Sequence, residues 1–149
     1  MTGYPQVSIN TDTSDSLCFG CGQNNPIGLK LTFHPDKDQI RTEFTAGRQY
    51  QGWPGILHGG IISCILDEAM SHVARFVGKE CITARMEVRF KQPIPVEEPL
   101  VITSSLVKDG RKLVETAARI ALRDGTVVAE SSAVQFVVRK ASAGAVGGA

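Results

Sequence analysis

Between Gly59 and Lys79 the apolar residues fall three and four apart: Ile62, Ile65, Leu66, Ala69, Val73, Phe76 and Val77. At about 100° per residue they share one broad stripe, which predicts a long helix covered on most of its sides. A second stripe carries Glu68, His72, Arg75 and Lys79 and reads as a solvated rim, on which Glu68 can meet His72 or Arg75. The third holds Gly60, Ser63, Cys64, Asp67, Ser71 and Ala74, all small or polar, with Asp67 as its one carboxylate. A carboxylate among small side chains leaves room for a ligand. The same stripe also suits close packing of another element, with Asp67 bonded to nearby backbone.

Elsewhere the period is two. Leu29, Leu31 and Phe33 alternate with polar residues up to Pro35-Asp36-Lys37-Asp38, and Ile40, Thr42, Phe44 and Ala46 alternate after it, predicting a hairpin. Gly47 to Gly55 has too many breakers for regular structure and delivers the chain to the helix, for which Gly78 is a candidate C-terminal cap. Ala84, Met86, Val88 and Phe90 predict a strand with one apolar and one charged face, and Pro93, Pro95 and Pro99 interrupt pairing after it. Strands follow at 100–107, 112–122 and 126–138, turned at Asp109-Gly110 and Asp124-Gly125. The pattern predicts an α+β fold in which a five- or six-stranded antiparallel sheet wraps one long helix. Residues 1–16 read as a loose lead-in, 17–138 as one domain and 139–149 as a disordered low-complexity tail. An unpaired edge strand and a thinly covered helix together predict a homodimer, or a dimer of dimers.

Composition removes several function classes. The 149 residues are 42% hydrophobic and 21% charged, with a net charge of +1, so no long-range field favours nucleic acid or an acidic membrane. No apolar run has membrane-spanning length and the N-terminus lacks a signal-peptide pattern, which predicts a cytoplasmic protein. Cys18, Cys21, Cys64 and Cys81 fit reduced thiols there. Cys18-Phe19-Gly20-Cys21 has zinc-ligand spacing, yet a closed site takes four ligands and the sequence has no second pair; a redox pair is the other reactive reading. The expectation is a packed structural turn with free thiols and no metal.

His58-Gly59-Gly60 opening the helix, an acid nine residues after the histidine, and the wrapping meander together resemble the hotdog-fold acyl-CoA thioesterases. The branch most similar contains the phenylacetic-acid-pathway enzymes and one type of 4-hydroxybenzoyl-CoA thioesterase. Cys18 to Gly22 and Asn25-Pro26-Ile27-Gly28-Leu29 resemble a strap found upstream of that fold, so the likeness runs over residues 17–138. The resemblance implies that Asp67 is the catalytic carboxylate, as nucleophile or as the base that activates water. It implies that the Gly59 N–H meets the thioester oxygen, that Ser71 holds the attacking water, and that His58 and Gly60 shape the substrate's approach. It also implies a site at a dimer interface, with no cofactor beyond the coenzyme A of the substrate. One position departs: many relatives have Asn or Gln six residues before the histidine, and here Gly52 stands there, beside Gln51. That departure leaves open an acyl-thioester binding protein that does not cleave its ligand. A hydroxyacyl-thioester dehydratase is the third reading.

Overall fold

The chain runs β1 (His34–Asp36), β2 (Gln39–Thr45), a 3-10 turn (Arg48–Tyr50), α1 (Gly59–Phe76), β3 (Lys79–Phe90), β4 (Pro99–Asp109), β5 (Leu113–Leu122) and β6 (Val127–Lys140). A computed structural model describes residues 9–140. Of the expected lead-in and tail, residues 1–8 and 141–149 therefore lie outside the described residues. Positions 139 and 140, assigned to the tail from their composition, instead extend β6, where they pair with the first residues of β3.

All six strands form one antiparallel sheet in the order β1-β2-β4-β5-β6-β3. The meander β4-β5-β6 is the one the Asp-Gly signals predict. Gly125 takes the left-handed conformation (φ +94°), and the Asp124 carboxylate accepts from the Thr126 N–H. α1 is the crossover that carries the chain from β2 to the far edge, where β3 pairs with β6 alone. Its apolar stripe is buried as expected, with Ile65, Leu66, Ala69 and Met70 fully covered against Leu100, Ile102, Ile120 and Ala129 of the sheet. Val77 does not belong to that stripe; it caps the helix and is exposed, and Gly78 (φ +84°) follows in the left-handed conformation that ends helices. This is the hotdog arrangement.

The strand expected over Leu29 to Phe33 is absent. Leu29 and Leu31 are buried, but their N–H groups donate to the carbonyls of Phe19 and Gly20 (2.8 and 2.9 Å), and Lys30 between them has φ +55°. Their alternation comes from a strap that folds back on itself rather than from a sheet. Only His34–Asp36 joins the sheet, before a turn through Lys37 (φ +59°).

That strap also overturns the solvated rim. The side chains of Glu68 and His72 are only 16% and 13% exposed, because the segment around Cys18 to Cys21 lies across them. Arg75 reaches Thr13 instead (3.3 Å). Lys79 is the first residue of β3, buried where its ammonium pairs with Asp109 and donates to the Gly110 carbonyl. A Cβ at Gly20 would stand 2.4 Å from the Glu68 carboxyl carbon. Gly20→Ala must therefore displace a carboxylate that is already bonded on two sides, and should lower stability by about 1–3 kcal/mol in a denaturant titration.

Candidate active site

The loop ahead of α1 is fixed by backbone bonds on both sides. Leu57 N–H donates to Ile94 in the proline-rich segment (2.8 Å), His58 N–H to Tyr50 (2.9 Å) and Gly52 N–H to Ile56 (2.8 Å). The buried Ile94, between Pro93 and Pro95, thus anchors the loop one residue ahead of the helix cap. His58 is the N-terminal cap, with extended backbone (φ −62°, ψ 134°) and Nδ1 accepting from the Gly60 N–H at 2.8 Å. The Ile61 and Ile62 N–H groups return to the His58 carbonyl (3.0 and 3.1 Å). Gly60 is therefore engaged within the cap. Among the described residues the Gly59 N–H has no hydrogen-bond partner, and it stands where the positive end of the helix dipole gathers.

That N–H opens into a groove of about 510 Å³ lined by Gln51, Gly52, Trp53, Ile56, Leu57, His58 and Gly59. Its rim is apolar and exposed: Trp53 is 83% accessible and Phe90, whose ring lies 3.6 Å from where a Gly59 Cβ would be, is 54% accessible. Gly52 packs toward His58 with no side chain of its own. Gln51 does not replace the missing amide, since its Oε1 accepts from the Gly55 N–H (2.9 Å) and closes the loop.

Asp67 lies two turns into α1, half-buried, and its Oδ1 accepts a 2.6 Å hydrogen bond from the Thr83 hydroxyl of β3. Thr83 is not among the residues the sequence singles out: it stands one residue before the alternating run from Ala84, and only the packing of β3 against α1 brings its hydroxyl to Asp67. Ser71, one turn after Asp67, accepts from Nε2 of the buried Gln135 (3.1 Å), leaving its own hydroxyl hydrogen to donate elsewhere. Ser63 donates to the Gly59 carbonyl (2.9 Å), stiffening the first turn.

Glu68, the neighbouring acid, faces the strap. Burial pushes its carboxyl up, but hydrogen bonds from His72 and from the Cys21 and Cys18 thiols outweigh burial and hold it below the ordinary carboxylate range. Burial and the nearby Glu68 charge raise the Cys21 thiol and push the Cys64 thiol up to about 11. All four cysteines are free thiols. Two of the cations on and just after β3 have acidic neighbours within the chain: Arg89 lies 3.7 Å from Glu87, and Lys91 lies 3.5 Å from Glu130. No helix among the described residues is long and apolar enough to cross a membrane.

Residues 54–129 match the family model of the thioesterase superfamily. The acyl-coenzyme A thioesterase THEM4 of Bos taurus is 32% identical over 112 residues, 73% of this chain and 46% of that protein. The chain spans about half the length of the curated relatives it matches. A crystal structure of a thioesterase superfamily protein superposes with a TM-score of 0.76 at 28% identity, covering 82% of this chain and 60% of the other. A hypothetical thioesterase of Streptococcus pneumoniae TIGR4 with coenzyme A gives a TM-score of 0.71 at 18% identity, covering 75% and 88%. Structures of that streptococcal protein also exist as alanine mutants at an aspartate and at a threonine sixteen residues later. The chain belongs to the thioesterase superfamily.

Proposed function

We propose that this protein hydrolyses an acyl-CoA thioester to the free acid and coenzyme A, with Asp67 as nucleophile or general base and the Gly59 N–H as oxyanion donor. The observation that carries this reading is the pairing of a carboxylate held at one oxygen by Thr83 with an unpartnered N–H at the N-terminus of the same helix. As the nucleophile, Asp67 adds to the thioester carbon, the CoA thiolate leaves, and water cleaves the mixed anhydride. As the base, it takes the proton of a water that adds to that carbon directly, and the tetrahedral intermediate then expels the CoA thiolate. In either case negative charge grows on the carbonyl oxygen, where the Gly59 N–H and the helix dipole stabilise it. Ser71 is proposed to hold the water through its free hydroxyl hydrogen, and His58 and Gly60 to fix the turn against which the acyl group lies. Asp67 and Thr83 are sixteen residues apart, the spacing of the two mutated positions in the streptococcal protein.

Helix geometry supports a site made by two copies of the chain. Eight residues of α1 separate Gly59 from Asp67, about 12 Å of axial rise, and the free N–H points outward from the helix end. Attack needs the reacting atoms about 3 Å apart. The carboxylate serving a thioester at Gly59 is thus the one carried by a second copy. The free edge of β3 and the exposed Trp53 and Phe90 support two-fold pairing of copies along that edge.

The test is thiol release from a panel of short, medium-chain and aryl acyl-CoAs by the purified protein. Release supports hydrolysis and defines the acyl group. If none is cleaved, the acyl-thioester binding reading takes over, which the absence of a side chain at Gly52 favours. Thr83→Val should lower turnover by about ten-fold or more, since a hydrogen bond to a charged group contributes about 1.5–3 kcal/mol. An unchanged rate would remove Thr83 from the site.

A further inference from the structure

We propose that Cys18, Cys21 and Glu68 bind a zinc ion that pins the N-terminal strap to α1, with His72 orienting the carboxylate. The sequence offered two of the ligands and lacked a second cysteine pair. The fold supplies the next ligand from a place that spacing could not show, since Glu68 lies fifty residues on from Cys18.

The Cys18 and Cys21 sulfurs and a Glu68 carboxylate oxygen lie within 4.8 Å of one another, and the Cys18 Sγ to Glu68 Oε1 distance is 3.4 Å. In a tetrahedral zinc site with bonds of about 2.0–2.3 Å, ligand atoms stand roughly 3.3–3.8 Å apart, so only small movements close the set. The Gly22 N–H to Cys18 carbonyl bond (2.8 Å) closes the turn that carries both thiols. Two glycines make the approach possible. A Cβ at Gly20 would collide with the Glu68 carboxyl group, and one at Gly22 would lie 2.3 Å from the Ser16 carbonyl.

Behind Glu68, the Nε2 of His72 lies 3.5 Å from Oε1, and the imidazole packs on Phe33 with ring centroids 4.6 Å apart. This is the outer-shell arrangement that fixes a ligating carboxylate. Two thiols converging on one carboxylate are a donor set that a dication can hold all at once, taking the place of the two thiol protons. Two thiolates select zinc over magnesium or calcium. Binding releases the two thiol protons, and water at the exposed Cys18 side takes the fourth position. The site is separate from the proposed chemistry, because Asp67 is turned to Thr83 on β3 and Glu68 to the strap.

The test uses the full chain, exposed to zinc chloride, desalted and measured for metal, with cobalt(II) as the spectroscopic probe. The expected result is one zinc per chain, a near-ultraviolet thiolate-to-cobalt band, and two thiols shielded from alkylation by zinc. Cys18→Ser with Cys21→Ser should abolish all three, whereas Cys64→Ser with Cys81→Ser should abolish none. His72→Ala should weaken zinc binding by about ten-fold or more. The proposal is overturned if the wild type retains no zinc, if cobalt binds without the thiolate band, if the first double variant holds zinc as well as wild type, or if a Cys18–Cys21 disulfide forms in its place. Should that variant fail to fold, the cobalt band and thiol shielding of the wild type decide the matter alone.

Discussion

Replacing Asp67 with Asn should cut thiol release by about 10³-fold, within the 10²–10⁴ that a positioned acid or base supplies, while leaving the unfolding midpoint almost unchanged. The asymmetry follows from geometry. Thr83 donates to Oδ1, and an asparagine oxygen at that place accepts the same 2.6 Å bond, so the packing of α1 against β3 survives. What is lost is the charge that attacks the thioester carbon or takes the proton of water. Single-turnover rates with the preferred acyl-CoA, beside thermal denaturation, check both halves. An Asp67→Asn protein that turns over at the wild-type rate would move the chemistry to another group.

Gly59→Pro should be the second large effect, a loss of about 10²–10³-fold in kcat, the magnitude associated with one oxyanion donor. Proline removes the N–H and little else at this position. The first residue of a helix is where proline is best tolerated, and His58 before it already has the extended backbone that a following proline requires. A Cβ at this position would meet the Phe90 ring at ordinary van der Waals distance. The measurement is kcat and KM together with helical circular dichroism. A protein that keeps its helix and its kcat would show that the N–H does not hold the oxyanion.

Much of this architecture was legible in the sequence, for identifiable reasons. The helix declares itself through an apolar stripe that is unbroken from Ile62 to Phe76, and the meander through Asp-Gly pairs flanked by alternating residues. Asp67 stands out because its neighbours are small. The illegible parts all depend on residues distant in sequence. Leu29 and Leu31 alternate like a strand because they face the core, yet their backbone bonds go to Phe19 and Gly20. Glu68 and His72 sit four apart like any surface pair, and a helical projection has no means of showing that the strap covers them. Thr83 meets Asp67 only because β3 packs against α1, which a strand's own alternation does not show.

The most direct test of the account mixes the two impaired proteins. Gly59→Pro and Asp67→Asn chains are unfolded together, refolded at equal concentration and assayed for thiol release with the preferred acyl-CoA. If each site takes its N–H from one chain and its carboxylate from the other, every mixed dimer carries one intact site. The mixture should then recover about a quarter of wild-type activity from two nearly inactive parents. Recovery no greater than the average of the parents would place Gly59 and Asp67 of the same chain in each site and contradict the shared site.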